Sequence, residues 1–332
     1  MSATTSATAS DEPAPKRARV NPAPALGHGV ASSKGRKQEQ QDVPLAVPNL
    51  LADGLVSLFA VLDGHGGVDC ATFVADRMPA LLAEALEKAT ASSDIKVALK
   101  QAFARCEAEL QARIKERAWC DGCCCVALLV DRRCSPARAY CANLGDSRAF
   151  AAVTPSAAAA TAPARAVALT KADHTAIDPK ERKRIEAAGG TVDGGRVCGV
   201  LEVSRSFGDA RLKSKGVSAV PDVTSFEIKP GEQRFVVLGC DGFWKAFSGT
   251  QAVERLHAKL PSMDARRTEL AALLDDKVRV AGLTKEAHAA ALRERADAAS
   301  EDGLLRAMVH EAVHSRHATD NTTLMLVRLN PD

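Results

Sequence analysis

Aromatic side chains are scarce in this 332-residue chain: nine Phe, two Trp and one Tyr, 4% of the total. That leaves no strip of stacking platforms for single-stranded bases. A charge excess is also missing, because 44 Lys and Arg stand against 41 Asp and Glu, a net charge of only +3. Proteins that coat nucleic acid carry a clear basic surplus, so no nucleic-acid partner is expected. No apolar run approaches the ~20 residues that span a bilayer. The opening MSATTSATASDEPAPKRARV lacks the apolar core of a secretory signal, so neither membrane insertion nor secretion is expected. Ten cysteines are present, but spread along a chain without that signal they read as reduced thiols, not a disulfide scaffold.

What is there is a hydrophobic content of 46%, enough to bury a large core. Residues 1–25 are rich in Ala, Ser, Thr and Pro and read as a disordered tail, with residues 26–332 as the folded domain. The tail contains Pro15-Lys16-Arg17-Ala18-Arg19-Val20. This run reads either as a solvated charge cluster or as a nuclear import signal, which places the protein in the nucleus, the cytoplasm or both.

Strands and helices then alternate. Ser57–Asp63 is an apolar strand that stops at an acid and a Gly-rich turn. The stretches 73–89 and 95–119 have helical spacing, and Cys123–Val130 reads as a strand. Ala137–Val153 is predicted to be one further strand, with Arg165–Thr170 as its return partner across the Ala-rich loop TPSAAAATAPA. Arg234–Cys240 and Asn321–Leu329 are two more strands, and Gln251–His317 is rich in helix formers. The predicted class is α+β, antiparallel sheets covered by helices.

Two of these strands share one design. FAVLDG and VVLGCDG each deliver a carboxylate, Asp63 or Asp241, at a strand exit followed by Gly. A third strand reaches Asp146 in NLGDSR, and a fourth begins just after Asp320. A lone Asp-Gly is usually only a turn. Several acids converging at strand ends repel one another unless cations neutralise them, and oxygen ligands suit hard ions such as Mg²⁺ or Mn²⁺.

Asp63-Gly64-His65-Gly66-Gly67 resembles the DGHGG motif of the metal-dependent protein phosphatases, the type 2C serine/threonine enzymes. NLGDSRA, ADHTAIDPKERKRIEAAGG, GVLEVSRSFGD, VPD, CDGFWKAFS and TDNTTLMLV follow in the family's order, so the resemblance runs from about Arg36 to Leu329. It implies a four-layer sandwich of two antiparallel β-sheets flanked by helices. It also implies hydrolysis of phosphoserine and phosphothreonine in phosphoprotein substrates, by a monomer that uses water activated between two Mg²⁺ or Mn²⁺ ions. Carried over by position, Asp63 bridges the ions and the Gly64 carbonyl helps hold the second. Asp241 and Asp320 complete the first, and Asp146 belongs to a weak third site. Asp42 orients the metal-bound water, and His65 is the proton donor for the departing oxygen. The family's phosphate-binding Arg falls at Lys37, with Arg36 beside it; Lys supplies charge without the bidentate fork. Three other departures stand out: Gln41 where many relatives have Glu, Lys245 where many have Asp, and Cys123–Cys125 where a Ser-Thr-Ala run is usual.

Two other readings compete. His310-Glu311-Ala312-Val313-His314 fits the HExxH pattern of zinc hydrolases, but the only later histidine, His317, is one turn further on. A catalytically weak phosphoprotein-binding module is the other. It would show loss of an acid ligand, whereas Asp63, Asp241 and Asp320 are all present. Cys120 and Cys123–Cys125 cannot all face one zinc ion from a strand and read as small buried core residues.

Overall fold

The computed structural model describes residues 24–89, 91–155, 163–229, 231–275 and 300–329. The basic run at 15–20, the Ala-rich loop at 156–162 and the stretch 276–299 lie outside the described residues. Pro24, within the range read as a tail, accepts a 2.9 Å hydrogen bond from Arg132, and Leu26 is buried.

In chain order the strands are β1 (His28–Ser33), β2 (Val43–Val47), β3 (Val56–His65), β4 (Gly122–Asp131), β5 (Arg138–Leu144), β6 (Arg148–Val153) and β7 (Arg165–Ala168). They continue with β8 (Val192–Asp193), β9 (Arg196–Val197), β10 (Phe207–Gly208), β11 (Asp222–Glu227), β12 (Gln233–Gly239) and β13 (Thr322–Arg328). The helices are α1 (Asp69–Leu86), α2 (Ser92–Arg117), α3 (Pro179–Ala187), α4 (Ala210–Lys213), α5 (Asp241–Ala246), α6 (Gly249–Asp275) and α7 (Glu301–His314).

Two antiparallel sheets face each other. One has the order β11-β5-β4-β3-β2, with β10 on β4, and the other β1-β13-β12-β6-β7. The central strands are buried on both faces, which is why they read as continuous apolar runs. On β3, Val56, Leu58, Ala60 and Leu62 join the cluster under α1 and α2, while Phe59 and Val61 belong to the cluster between the sheets. β4 alternates in the same way: Cys123, Cys125 and Ala127 face the helices, and Val126, Leu128 and Val130 face the second sheet. Leu256 and Leu260 of α6 and Leu305 and Met308 of α7 pack on the other side of that sheet. The layers are therefore helix, sheet, sheet, helix, as expected.

Two expectations need correction. Ala137–Val153 is not one strand: β5 lies in the first sheet and β6 in the second, and the chain crosses between them at Gly145-Asp146-Ser147. Gly145 has φ +114°, a conformation that ends the strand, and a Cβ there would stand 2.2 Å from Cys124 Sγ. The region after Gln251 that is rich in helix formers is helical as expected, in α6 and α7, with residues 276–299 outside the described set. Cys120 is exposed, unlike Cys123, Cys124 and Cys125, because it precedes β4 in the link after α2.

A small lobe between β7 and β11 carries α3, α4 and the β8–β9 hairpin. Among the described residues its own core has four buried apolar members, Ala176, Ile185, Val197 and Val217. A charged network compensates. Glu181 of α3 is buried and accepts from Arg205 (2.6 Å), Arg184 (2.6 Å) and Ser204 (2.7 Å), and Arg205 also reaches Asp222 at 3.1 Å. Burial alone would raise the Glu181 pKa, but these donors outweigh it and hold the carboxyl well below the ordinary range. Among the described residues no helix is long and apolar enough to cross a membrane.

Candidate metal centre

Four strand ends meet at one edge of the sandwich. Asp63 lies near the end of β3, opposite Cys124 on β4, and Asp241 opens α5 just after β12. Asp146 sits in the crossing between β5 and β6, and Asp320 shortly precedes β13. All four line a pocket of about 340 Å³. Its roof comes from the small lobe, through Arg196 and Leu201–Val203.

One carboxylate oxygen from each of Asp63, Asp146 and Asp241 lies within 4.8 Å of the others. Asp42, Asp63 and Cys240 form a second such group, in which Asp42 and Cys240 are buried. Asp42 Oδ2 accepts a 2.7 Å bond from Thr323, while its buried Oδ1 has no partner among the described residues. Burial, opposed by Thr323 and Cys240 and reinforced by Asp241 and Asp320, raises the Asp42 pKa to about 6. Burial and then Asp241 raise Asp146 to about 6. Asp63 is pushed well up by burial first, and then by Asp42, Asp241 and Asp146. These carboxylates are costly to ionise together, and one Asp42 oxygen is orphaned beside them. Carboxylate oxygens with that deficit of positive charge fit hard divalent cations.

Cations do stand at the rim. Lys37 Nζ is 2.7 Å from Asp320 Oδ1, and Lys245 Nζ is 2.5 Å from Asp241 Oδ2. Arg36 is exposed and outside the pocket lining; its peptide N–H donates to the Thr319 carbonyl at 3.3 Å. Gly64 and Gln41 line the pocket with the lysines.

His65 faces the pocket beside the acids, and its Nε2 is 2.8 Å from Asp209 Oδ2. Ser206 Oγ donates to the same carboxylate oxygen at 2.5 Å. Burial opposes a charge on His65, but Asp209 outweighs it and the pKa is raised. The pair needs Gly122, opposite His65 on β4, because a Cβ there would fall 2.2 Å from Asp209 Oδ2 and 2.7 Å from His65 Nε2. Cys124 belongs to neither large apolar cluster and lines the pocket; burial and Asp146 push its thiol pKa well up.

His174 fixes the turn that carries Asp146. Its Nδ1 accepts from the Gly145 N–H at 3.1 Å, and its own peptide N–H donates to the Gly145 carbonyl at 2.9 Å. Burial and Arg205 lower its pKa, which suits a neutral ring accepting at Nδ1. Asp209, His174 and the roof residues are site members that the sequence does not single out. Each falls within a quoted motif or beside one, but a pairing over 144 residues, as for His65 and Asp209, has no spacing signal.

The HExxH residues lie elsewhere. His310 and His314 are exposed on α7, and Glu311 is taken by Arg255 at 2.5 Å and Arg316 at 3.0 Å.

Comparison with known proteins gives one family. The profile of Protein phosphatase 2C matches residues 26–286. The integrin-linked kinase-associated serine/threonine phosphatase 2C of Homo sapiens is 34% identical over 314 residues, covering 90% of this chain and 71% of that protein. Among solved structures, a serine-threonine phosphatase 2C from Toxoplasma gondii superposes with a TM-score of 0.67 at 22% identity, covering 92% of this chain and 95% of the other. A C. elegans sex-determining protein superposes with a TM-score of 0.70 at 22% identity, covering 93% of this chain and 66% of the other. At that identity the structural likeness speaks for the fold alone.

Proposed function

The chain belongs to the protein phosphatase 2C family and is a metal-dependent protein serine/threonine phosphatase, and we propose that the acid-lined pocket is its catalytic site. In this reading residues 26–332 are the catalytic domain, residues 1–25 are a tail, and a monomer suffices because one chain lines the pocket. Asp63, Gly64, Asp241 and Asp320 would hold two ions, Mg²⁺ or Mn²⁺, with Asp146 available to a weaker third. Bound there, such ions supply Lewis acidity that lowers the pKa of water and neutralises phosphoryl charge.

The chain's own groups do the rest. Asp42, with Oδ1 unpartnered, is placed to orient water on the buried side of Asp63. Lys37 lies at the rim to hold the phosphoryl oxygens, a task for which Arg36 is poorly placed. His65 has Nε2 committed to Asp209, so Nδ1 is the nitrogen left to protonate the departing Ser or Thr oxygen. Asp209 orients the ring and favours its protonated form.

The observation that carries this reading is the convergence of Asp63, Asp146 and Asp241 within 4.8 Å beside His65. Asp63→Asn keeps the shape of the side chain and removes its charge. The expected outcome is a folded protein with Mn²⁺ binding and phosphopeptide turnover lowered by about 100-fold or more. Normal Mn²⁺ affinity by calorimetry with near-normal turnover would overturn the site assignment. The basic run Lys16-Arg17-Ala18-Arg19 supports a nuclear as well as cytoplasmic location. Changing Lys16, Arg17 and Arg19 to Ala is expected to shift a tagged chain toward the cytoplasm, and imaging that shows no shift removes the argument.

A further inference from the structure

Lys245 stands four residues after Asp241 on α5, a spacing that puts both side chains on one helical face. Its side chain is 63% exposed against 21% for Asp241, so it reaches the acid cluster from the solvent side. Burial opposes its charge, but Asp241, followed by Asp320 and Asp146, outweighs that and raises its pKa. One ammonium thus offsets part of the repulsion among several acids.

An ion pair this exposed is worth little and is cheaply given up. A divalent ion carries twice the charge and would compete for the same Asp241 carboxylate. Once Asp241 is committed elsewhere, Lys245 stays tethered by its helix at the mouth of a pocket that receives a phosphoryl dianion. Lys37 is paired with Asp320 in the same manner.

We propose that Lys245 is a displaceable internal cation, which holds Asp241 until a divalent ion claims it and then receives the phosphoryl oxygens of the substrate. The proposal rests on the reading that these acids bind metal, and adds to it a coupling between the two ligands. By reciprocity, whatever draws Lys245 off Asp241 tightens metal binding, phosphate included. High salt, which screens exposed pairs, is expected to shrink the effect.

Calorimetry on the full chain tests both halves without turnover, first with Mn²⁺ alone and then with inorganic phosphate titrated into Mn²⁺-saturated protein. For Lys245→Gln the expected result is Mn²⁺ binding about three- to tenfold tighter and phosphate binding about three- to tenfold weaker. Lys245→Arg, which keeps the charge, is expected to stay within about twofold of the parent in both. Misfolding does not move the two affinities in opposite directions. Unchanged or weaker Mn²⁺ binding in Lys245→Gln overturns the proposal, as does unchanged phosphate binding. Failure of the metal reading has a different signature: Mn²⁺ binding that is missing in the parent, or equal in parent and Asp63→Asn, overturns that reading and the proposal with it.

Discussion

Floor and roof of the pocket face the same space but are held by different forces. On the floor, Asp63, Asp146 and Asp241 stand at the ends of strands that carry Leu62, Leu144 and Leu238, all buried to 1% exposure or less. On the roof, Leu201–Val203 hang from a lobe whose four buried apolar residues are supplemented by Glu181, Arg205 and Asp222. Apolar packing positions the acids closely and tolerates little adjustment, whereas a charged network can be loosened one partner at a time. The division suits a site in which ligand geometry is fixed and the cover must admit a protein substrate.

The largest test of the comparison is on the floor. His65→Gln leaves the acids in place and removes the proton donor. Turnover of a phosphoserine peptide is expected to fall by about 100-fold or more, with a much smaller loss on an aryl phosphate, whose leaving group departs unaided. Equal losses on both substrates would assign His65 to the scaffold. A roof substitution is expected to do less and to do it differently. Arg205→Met strips the buried Glu181 of its bidentate partner, a local cost of about 2 kcal/mol. Amides at 176–217 should exchange faster, and KM should rise by about tenfold with kcat changed less. A drop in global melting temperature with no local change in exchange would show that lobe and sandwich unfold as one unit.

The remaining test is in pH, where floor and roof have opposite signs. Asp42 and Asp146 are raised from 3.8 to about 6, so in chelator the folded protein binds more protons than the unfolded chain between those values. Stability of metal-free protein should therefore rise as pH falls through about 6 toward 3.8. Glu181 is depressed, so its contribution is complete above the ordinary 4.5 and is lost only as pH falls through its lower folded value. Thermal midpoints in chelator at about pH 7 and about pH 5 check this, the higher midpoint being expected at the lower pH. A flat or falling trend would mean that Lys37 and Lys245 already relieve the floor acids without metal.

Much of the floor was legible in sequence because Asp63 and Asp241 each end an apolar run and are each followed by Gly, the mark of a buried strand reaching its exit. The roof was not. The β8 and β9 strands are two residues each, too short for any periodicity, and Arg205 and Glu181 look like ordinary surface charges until the fold brings them together. Ala137–Val153 reads as one strand for a related reason: both halves are apolar, so little but Gly145 marks the point where the chain changes sheets. Lys245 was legible as a departure from the family pattern, but its grip on Asp241 was not.

That change of sheets has a mechanical side. Asp63 belongs to one sheet, Asp241 follows a strand of the other, and Asp146 rides on the segment that joins them. An ion held by Asp63 and Asp241 would be a rivet through two plates, resisting the sliding of one sheet over the other and stiffening the sandwich against shear. Metal loading should then be felt as rigidity far from the pocket, along the whole interface between the plates.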